Sequence, residues 1–134
     1  MSESTPEHCP FCATPPDRIL EATQHAFVVL DAFPVSPGHT LVISRRHVMD
    51  VFDLTGSEIG DIIRLIRSAR ERLDRTLHPS GYNIGVNVGR AAGQTVMHVH
   101  IHVIPRYPGD TSDPMGGVRG VIPGKACYPR RADE

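Results

Sequence analysis

Several features are scarce in this 134-residue chain, and each scarcity closes off a class of protein. Excess charge is missing: 14 Lys and Arg against 15 Asp and Glu leave a formal net charge of -1 at pH 7. No strong field therefore recruits nucleic acid or an anionic membrane surface. Long apolar runs are missing as well, since none approaches the roughly 18–20 residues that span a bilayer. The segment "MSESTPEHCP" has neither a basic start nor an apolar stretch, so it does not read as a signal peptide. Cysteine is limited to three residues, an odd number, and two of them sit together in "CPFC". That argues against a secreted disulfide framework and for a reducing compartment, so a cytoplasmic protein is expected. Internal repeats and low-complexity tracts are also lacking. What remains has the size of one compact domain, with 40% hydrophobic residues to build its core.

The order of elements is legible. "HAFVVLDAFP" (25–34) reads as a strand carried by Phe27, Val28, Val29 and Leu30. "SPGH" (36–39) is a turn, because Pro37 presets φ and Gly38 frees it. "TLVIS" (40–44) is the second strand, and the two form a hairpin. A short helix is expected within 45–54. Thr55 and Glu58 then fit a capping box, with Thr55 at the N-cap and Glu58 three residues on. From there Ile59, Ile62, Ile63, Ile66, Ala69 and Leu73 follow helical spacing, which predicts a long helix over about 56–77. His78-Pro79-Ser80-Gly81 ends it. Alternation predicts strands over 82–89 and 96–104, joined by a glycine-bearing loop. The sum is an α+β chain, an antiparallel sheet with one main helix and a short one. Residues 1–8 are polar and expected to be frayed, and residues 107–134 are rich in Gly and Pro and expected to pack on something.

The run "MHVHIHVIP" (97–105) places His98, His100 and His102 at alternate positions. Side chains alternate faces along a strand, so three imidazoles line one face while Val99, Ile101 and Val103 line the other. A chance cluster, a metal site and nucleophilic catalysis are the three readings. Two histidines at i and i+2 can share an ion. A neutral imidazole is also a good nucleophile near pH 7, with its neighbours as acid and orienter.

Cys9 and Cys12 form a C-x2-C knuckle, which alone is half a zinc site or a redox motif. The thioredoxin-like βαβ context of a redox pair is missing. A structural zinc needs two more ligands; Cys127 is one possibility, and His8 is adjacent but poorly placed.

The flanks add a resemblance. "AAGQTVMHVHIHVIPR" resembles the histidine-triad (HIT) superfamily signature, and "FPVSPGHTLVISRRHV" and "YNIGVNVGRAAGQT" resemble its upstream blocks, over about residues 9–105. The resemblance implies a HIT-like sheet of about five strands, a domain over 9–106, a C-terminal segment packing on the domain or a dimer, and commonly a homodimer. It implies a purine nucleotide substrate and a hydrolase, a phosphoramidase or dinucleoside polyphosphate hydrolase. In that reading His100 attacks the α-phosphorus to form a nucleotidyl-histidine. The alternatives are a nucleotidyltransferase or phosphorylase using phosphate as acceptor, or a nucleotide-binding scaffold. His98 matches the residue whose carbonyl orients the nucleophile, and His102 the one that serves the leaving group. Gln94, Thr95, Gly93 and Asn87 match the phosphate-binding positions. Asp31 matches the ribose-binding residue, although a strand-end cap is its other role. His39 matches a histidine beside the triad, where a structural hydrogen bond outranks catalysis. Phe11, Phe27 and Leu41 match the base pocket or are core. The zinc-containing branch implies Cys9, Cys12, His47 and His98 as the ligands of a structural zinc. The tail cations Arg106, Arg119 and Lys125 either reach distal phosphates or are surface charges.

Overall fold

In the computed structural model, residues 5–129 are described. Five antiparallel strands make one open sheet: β1 (Glu21–Ala22), β2 (Ala26–Leu30), β3 (Thr40–Ser44), β4 (Gly81–Gly85) and β5 (His100–Arg106). Their order across the sheet is β1-β2-β3-β5-β4. α1 (Gly56–Thr76), the one α-helix among the described residues, covers one face.

Helix α1 begins where the capping box is expected. The Thr55 hydroxyl accepts from the Glu58 N–H at 3.1 Å, and the Glu58 carboxylate accepts from the Thr55 N–H at 2.8 Å. Arg46 clamps the same carboxylate at 2.8 and 3.1 Å. That clamp holds Glu58 down at about 2, below its ordinary 4.5. Ile62, Leu65, Ala69 and Leu73 face the sheet, against Val28, Val42, Val99, Ile101 and Val103. Ile59 and Ile63, expected on that stripe, are instead 46% and 49% exposed. The buried stripe runs instead through Glu58, Asp61, Ile62, Leu65, Ala69 and Leu73, which leaves Ile59 and Ile63 on its flank.

The β2–β3 hairpin has the expected register, Val29 opposite Leu41 and Leu30 opposite Thr40. Its turn needs Gly38, at φ +88, because a Cβ there would lie 2.7 Å from Leu73 and 2.8 Å from Leu77 at the end of α1.

Three expected elements are shorter than the sequence pattern suggests. The short helix in 45–54 is one 3-10 turn, Val51–Asp53. The strand expected over 82–89 stops at Gly85, opposite His102, although β5 itself continues to His100. The strand expected from 96 begins only at His100. Ahead of it the backbone bends: the His98 N–H bonds the Val96 carbonyl at 2.9 Å, and the Val99 N–H bonds Val48 at 2.7 Å. His98 therefore sits before the strand, not on its face beside the other two.

Residues 1–4 and 130–134 lie outside the described residues. Pro6–His8 form a 3-10 turn. In the tail a 3-10 turn, Gly117–Val121, lies against β4.

Candidate active site and metal centre

The second sheet face carries Phe27, Val29, Leu41 and Ile43. β5 pairs with β3 so that His100 stands opposite Ile43 and His102 opposite Leu41. Alternation therefore puts these two imidazoles on the face away from α1, while Ile101 and Val103 enter the core.

Each ring has one nitrogen already occupied, and its partner assigns the proton. His100 Nδ1–H donates to the His98 carbonyl at 2.8 Å, which leaves Nε2 with a free lone pair. The Val35 N–H donates to His39 Nδ1 at 3.1 Å, so the His39 proton is on Nε2. That proton points at His102 Nδ1, 2.9 Å away, with Asp31 Oδ2 at 3.4 Å from the same nitrogen. His102 then carries its own proton on Nε2. Burial first, then His100 and His39, holds His102 below the usual histidine range, and burial lowers His39 against the pull of Asp31. Both are neutral at pH 7. The chain of tautomers ends in one acceptor nitrogen, on His100, and one N–H donor, on His102.

The two histidines border a cavity of about 500 Å³. Asn87, Gly93 and Thr95 line it beside them, Asp31 borders it at the end of β2, and Phe11 and Leu41 form apolar wall and floor. Phe11 also packs edge-on against His100, with ring centroids 4.9 Å apart. Three matched residues are placed elsewhere. Phe27 lies buried in the apolar layer with Phe11 and Ile19. His39 is buried behind His102. The Gln94 amide closes its own loop, accepting from the Gly89 N–H at 2.9 Å and donating to Met49 at 2.9 Å and Val96 at 3.2 Å. Gly93, in the left-handed region at φ +94, completes that loop.

His98 is turned the other way. It is fully buried, and its Nε2–H donates to the Ser44 carbonyl at 2.6 Å. Burial lowers it, against the Ser44 bond. Its Nδ1 lone pair faces Cys9 Sγ at 3.3 Å and Cys12 Sγ at 3.5 Å. His47 Nδ1 stands 3.3 Å from Cys12 Sγ. These four donor atoms all lie within 4.8 Å of one another. Two sulfurs and two imidazole nitrogens, one of them tautomer-locked by a carbonyl, are a zinc donor set. Desolvation and then Cys9 push the Cys12 thiol up to about 11, a preference that a coordinated cation reverses. Cys127 is elsewhere, against Asp113, and His8 bonds Thr5.

A second cluster, Asp31, His39 and His102, has the composition of a metal site. Its hydrogen bonds say otherwise. Val35 occupies the His39 Nδ1 lone pair, so a metal on Nε2 would demand an imidazolate.

Residues 13–109 match the HIT domain family. The chain belongs to the HIT family. An uncharacterised HIT-like protein of Mycoplasma genitalium is 38% identical over 111 residues, covering 80% of this chain and 79% of that one. The bis(5'-nucleosyl)-tetraphosphatase (asymmetrical) of Schizosaccharomyces pombe is 44% identical over 96 residues, 72% of this chain but only 53% of that longer protein. Among solved structures, a Zn-bound histidine triad family protein from Mycobacterium smegmatis superposes with a TM-score of 0.71 at 32% identity, covering 81% of this chain and 82% of that one. The HIT fold thus accounts for the five-strand sheet and single long helix.

The sequence pattern did not single out Ser44, Val35 or Arg18. The first two act through main-chain atoms, which leave no mark in residue type. Arg18 lies in an aperiodic connection, and only folding brings it to the cavity.

Proposed function

We propose that this HIT protein hydrolyses purine nucleotide derivatives at the α-phosphorus through a nucleotidyl intermediate on His100. The observation that carries the reading is the 2.8 Å bond from His100 Nδ1–H to the His98 carbonyl, which leaves Nε2 as a nucleophile bordering the cavity. In the first step Nε2 attacks phosphorus. The N–P bond forms as the bond to the leaving oxygen or nitrogen breaks, and His102 Nε2–H donates to the leaving atom. That N–H stays on His102 as a hydrogen-bond donor to the leaving atom, and the leaving group departs as its anion or takes a proton from solvent; the nucleotidyl-imidazole on His100, whose ring centroid is 5.2 Å from that of His102, carries the positive charge. In the second step water attacks phosphorus, the N–P bond breaks as its electron pair returns to His100 Nε2, and the proton of the water passes to solvent. Asp31 binds the ribose hydroxyls, and Thr95, Gly93 and Asn87 the phosphate oxygens.

Cys9, Cys12, His47 and His98 hold a structural zinc in this reading. Four protein ligands leave no open position for substrate. A cytoplasmic, reducing setting suits the three free thiols; no helix among the described residues is long and apolar enough to cross a membrane. The protein pairs as a homodimer, a reading supported by the exposed Ile59 and Ile63 on α1 and by Ile84 on the edge strand β4. Sedimentation at micromolar concentration that returns a monomer mass sinks the dimer.

The test of the reaction is chemical. Rapid quench with a substrate labelled in its α-phosphate should trap label on wild type and none on His100→Ala. Equal products with and without inorganic phosphate mark a hydrolase, and a phosphate-dependent nucleoside diphosphate marks a phosphorylase. Turnover without any trapped label in wild type, or label retained by His100→Ala, removes the covalent histidine.

A further inference from the structure

The cavity has a cation at the end far from the histidines. Arg18 closes the 3-10 turn Pro16–Arg18 and lines the cavity, where it is the one lysine or arginine among the lining residues. Its side chain is exposed, and no described residue accepts a hydrogen bond from its guanidinium or pairs with it. The fold makes other use of its arginines: Arg46 clamps Glu58, Arg64 pairs with Asp61, and Arg106 pairs with Asp110.

The strand register says which part of a nucleotide Arg18 meets. His102 stands opposite Leu41, and Leu41 opposite Val29. Beyond β2 the next neighbour is β1, which follows Arg18 after two residues. The floor therefore runs His102, Leu41, Val29 across two strand spacings, about 10 Å, with Ile19 packed beyond Val29 and Arg18, next to Ile19 in the chain, on the cavity lining past the ladder. A nucleotide with its phosphorus at His100 lays its sugar by Asp31 and its base over Leu41 and Val29. The base edge then meets Arg18.

Resting on the nucleotide reading above, we propose that Arg18 reads that edge and makes the cavity prefer a 6-oxopurine, guanine or hypoxanthine, over adenine. A guanidinium offers five N–H donors in a planar fork and no acceptor. Guanine presents two acceptors side by side, O6 and N7, and takes the fork in two bonds. Adenine presents N7 beside the N6 amino group, a donor facing a donor. The fork gains one bond and loses the other.

Equilibrium titration of the whole protein with GMP, IMP and AMP tests this without any turnover. GMP should bind about tenfold tighter than AMP, the modest end of the range for a bidentate contact because Arg18 is exposed. IMP should follow GMP, since it keeps both O6 and N7. Arg18→Ala should bring GMP and AMP within about twofold of each other. Arg18→Gln should tilt the ratio toward AMP, because a carboxamide pairs with N6 and N7 together. Both replacements sit on the surface and are read as ratios within one protein. GMP and AMP within twofold in wild type, or a tenfold preference that survives Arg18→Ala, overturns the proposal. So does an equal loss for all three ligands in Arg18→Ala, which would assign Arg18 to phosphate. Equal binding refutes the base reader alone, whereas a wild type that binds none of the three nucleotides refutes the nucleotide site as well.

Discussion

His98 and His100 are two residues apart and share nearly every bulk property, since both are buried imidazoles on the same run of chain. Their hydrogen bonds divide them. His98 gives its Nε2–H to Ser44 and turns Nδ1 toward two sulfurs, away from the cavity. His100 gives its Nδ1–H to the His98 carbonyl and borders the cavity with Nε2. Which nitrogen is occupied, and by which carbonyl, decides whether a ring turns its free lone pair to the cysteines or to the cavity, and with it the ligand and nucleophile roles proposed above. The half around His98 is built closed, with every donor atom turned on its neighbours. The half around His100 and His102 is built with one acceptor and one donor left over.

The sharpest way to break that comparison is to remove the leftover acceptor. His100→Ala should lower kcat by at least about 10³-fold, the scale for deleting a nucleophile, while zinc content stays at the wild-type level. Steady-state kinetics with metal analysis on the same sample checks both halves. If zinc leaves with His100, or stays when Cys9 and Cys12 are both changed to Ser, the ion belongs to the cavity face.

Breaking the closed half should act first on stability. Cys9→Ser or His98→Ala should lose the metal. Zinc at about 1,000 times its Kd contributes about 4 kcal/mol by mass action. Tm should therefore fall by on the order of 10 °C, with turnover at low temperature reduced far less than in His100→Ala. Thermal melts with and without a chelator measure this. A Tm unmoved by chelation means that the knuckle holds no structural ion.

His39 sharpens the open half. His39→Ala frees the His102 tautomer, so kcat should drop about tenfold for substrates with poor leaving groups and less for good ones. His39→Gln should recover part of the loss, because a carboxamide can accept from Val35 and donate to His102. Equal losses for every leaving group, with no recovery in His39→Gln, would make His39 a packing residue only.

The smallest effect lies far from both sites. Glu58 is depressed to about 2 from 4.5, so its contribution to stability is fully present above pH 4.5 and is lost as pH falls toward 2. Glu58→Gln should flatten the fall in Tm between pH 5 and pH 2 relative to wild type. Parallel Tm-against-pH curves for the two proteins would show that the Arg46–Glu58 clamp adds nothing.

What could be read in advance follows from how local each signal is. Helix α1 was legible to within a residue, because its capping box and its spacing are carried by side chains within one element. The start of β5 was not. The alternation continues back through Met97, yet backbone partners at Val48 and Ser44 draw Val99 off the ladder, and those partners lie about fifty residues away in sequence. Residues Val86 and Val88 likewise keep the alternation of β4 after its pairing with β5 has ended at Gly85. In the site, residue types marked Cys9, Cys12, His47, His98, His100 and His102. The tautomers that sort these histidines come from Ser44, Val35 and the His98 carbonyl, whose contributions are main-chain atoms that any residue could supply. Gln94 shows the converse: a polar side chain beside the triad whose hydrogen bonds go to main-chain atoms of its own loop and of Met49 and not into the cavity.

The bond from His100 to the His98 carbonyl has a consequence for how such a chain can be altered. The carbonyl belongs to the main chain and would be present with any residue at position 98, whereas the nitrogen that faces the two cysteines, the proposed zinc ligand, belongs to the side chain. The two duties at this position are therefore separable by design. A redesigned chain could give up both cysteines, His47 and the ion together, fill the vacated space with apolar side chains, and still orient His100. The reverse trade is closed, because moving the His100 imidazole one residue along β5 would turn it into the core.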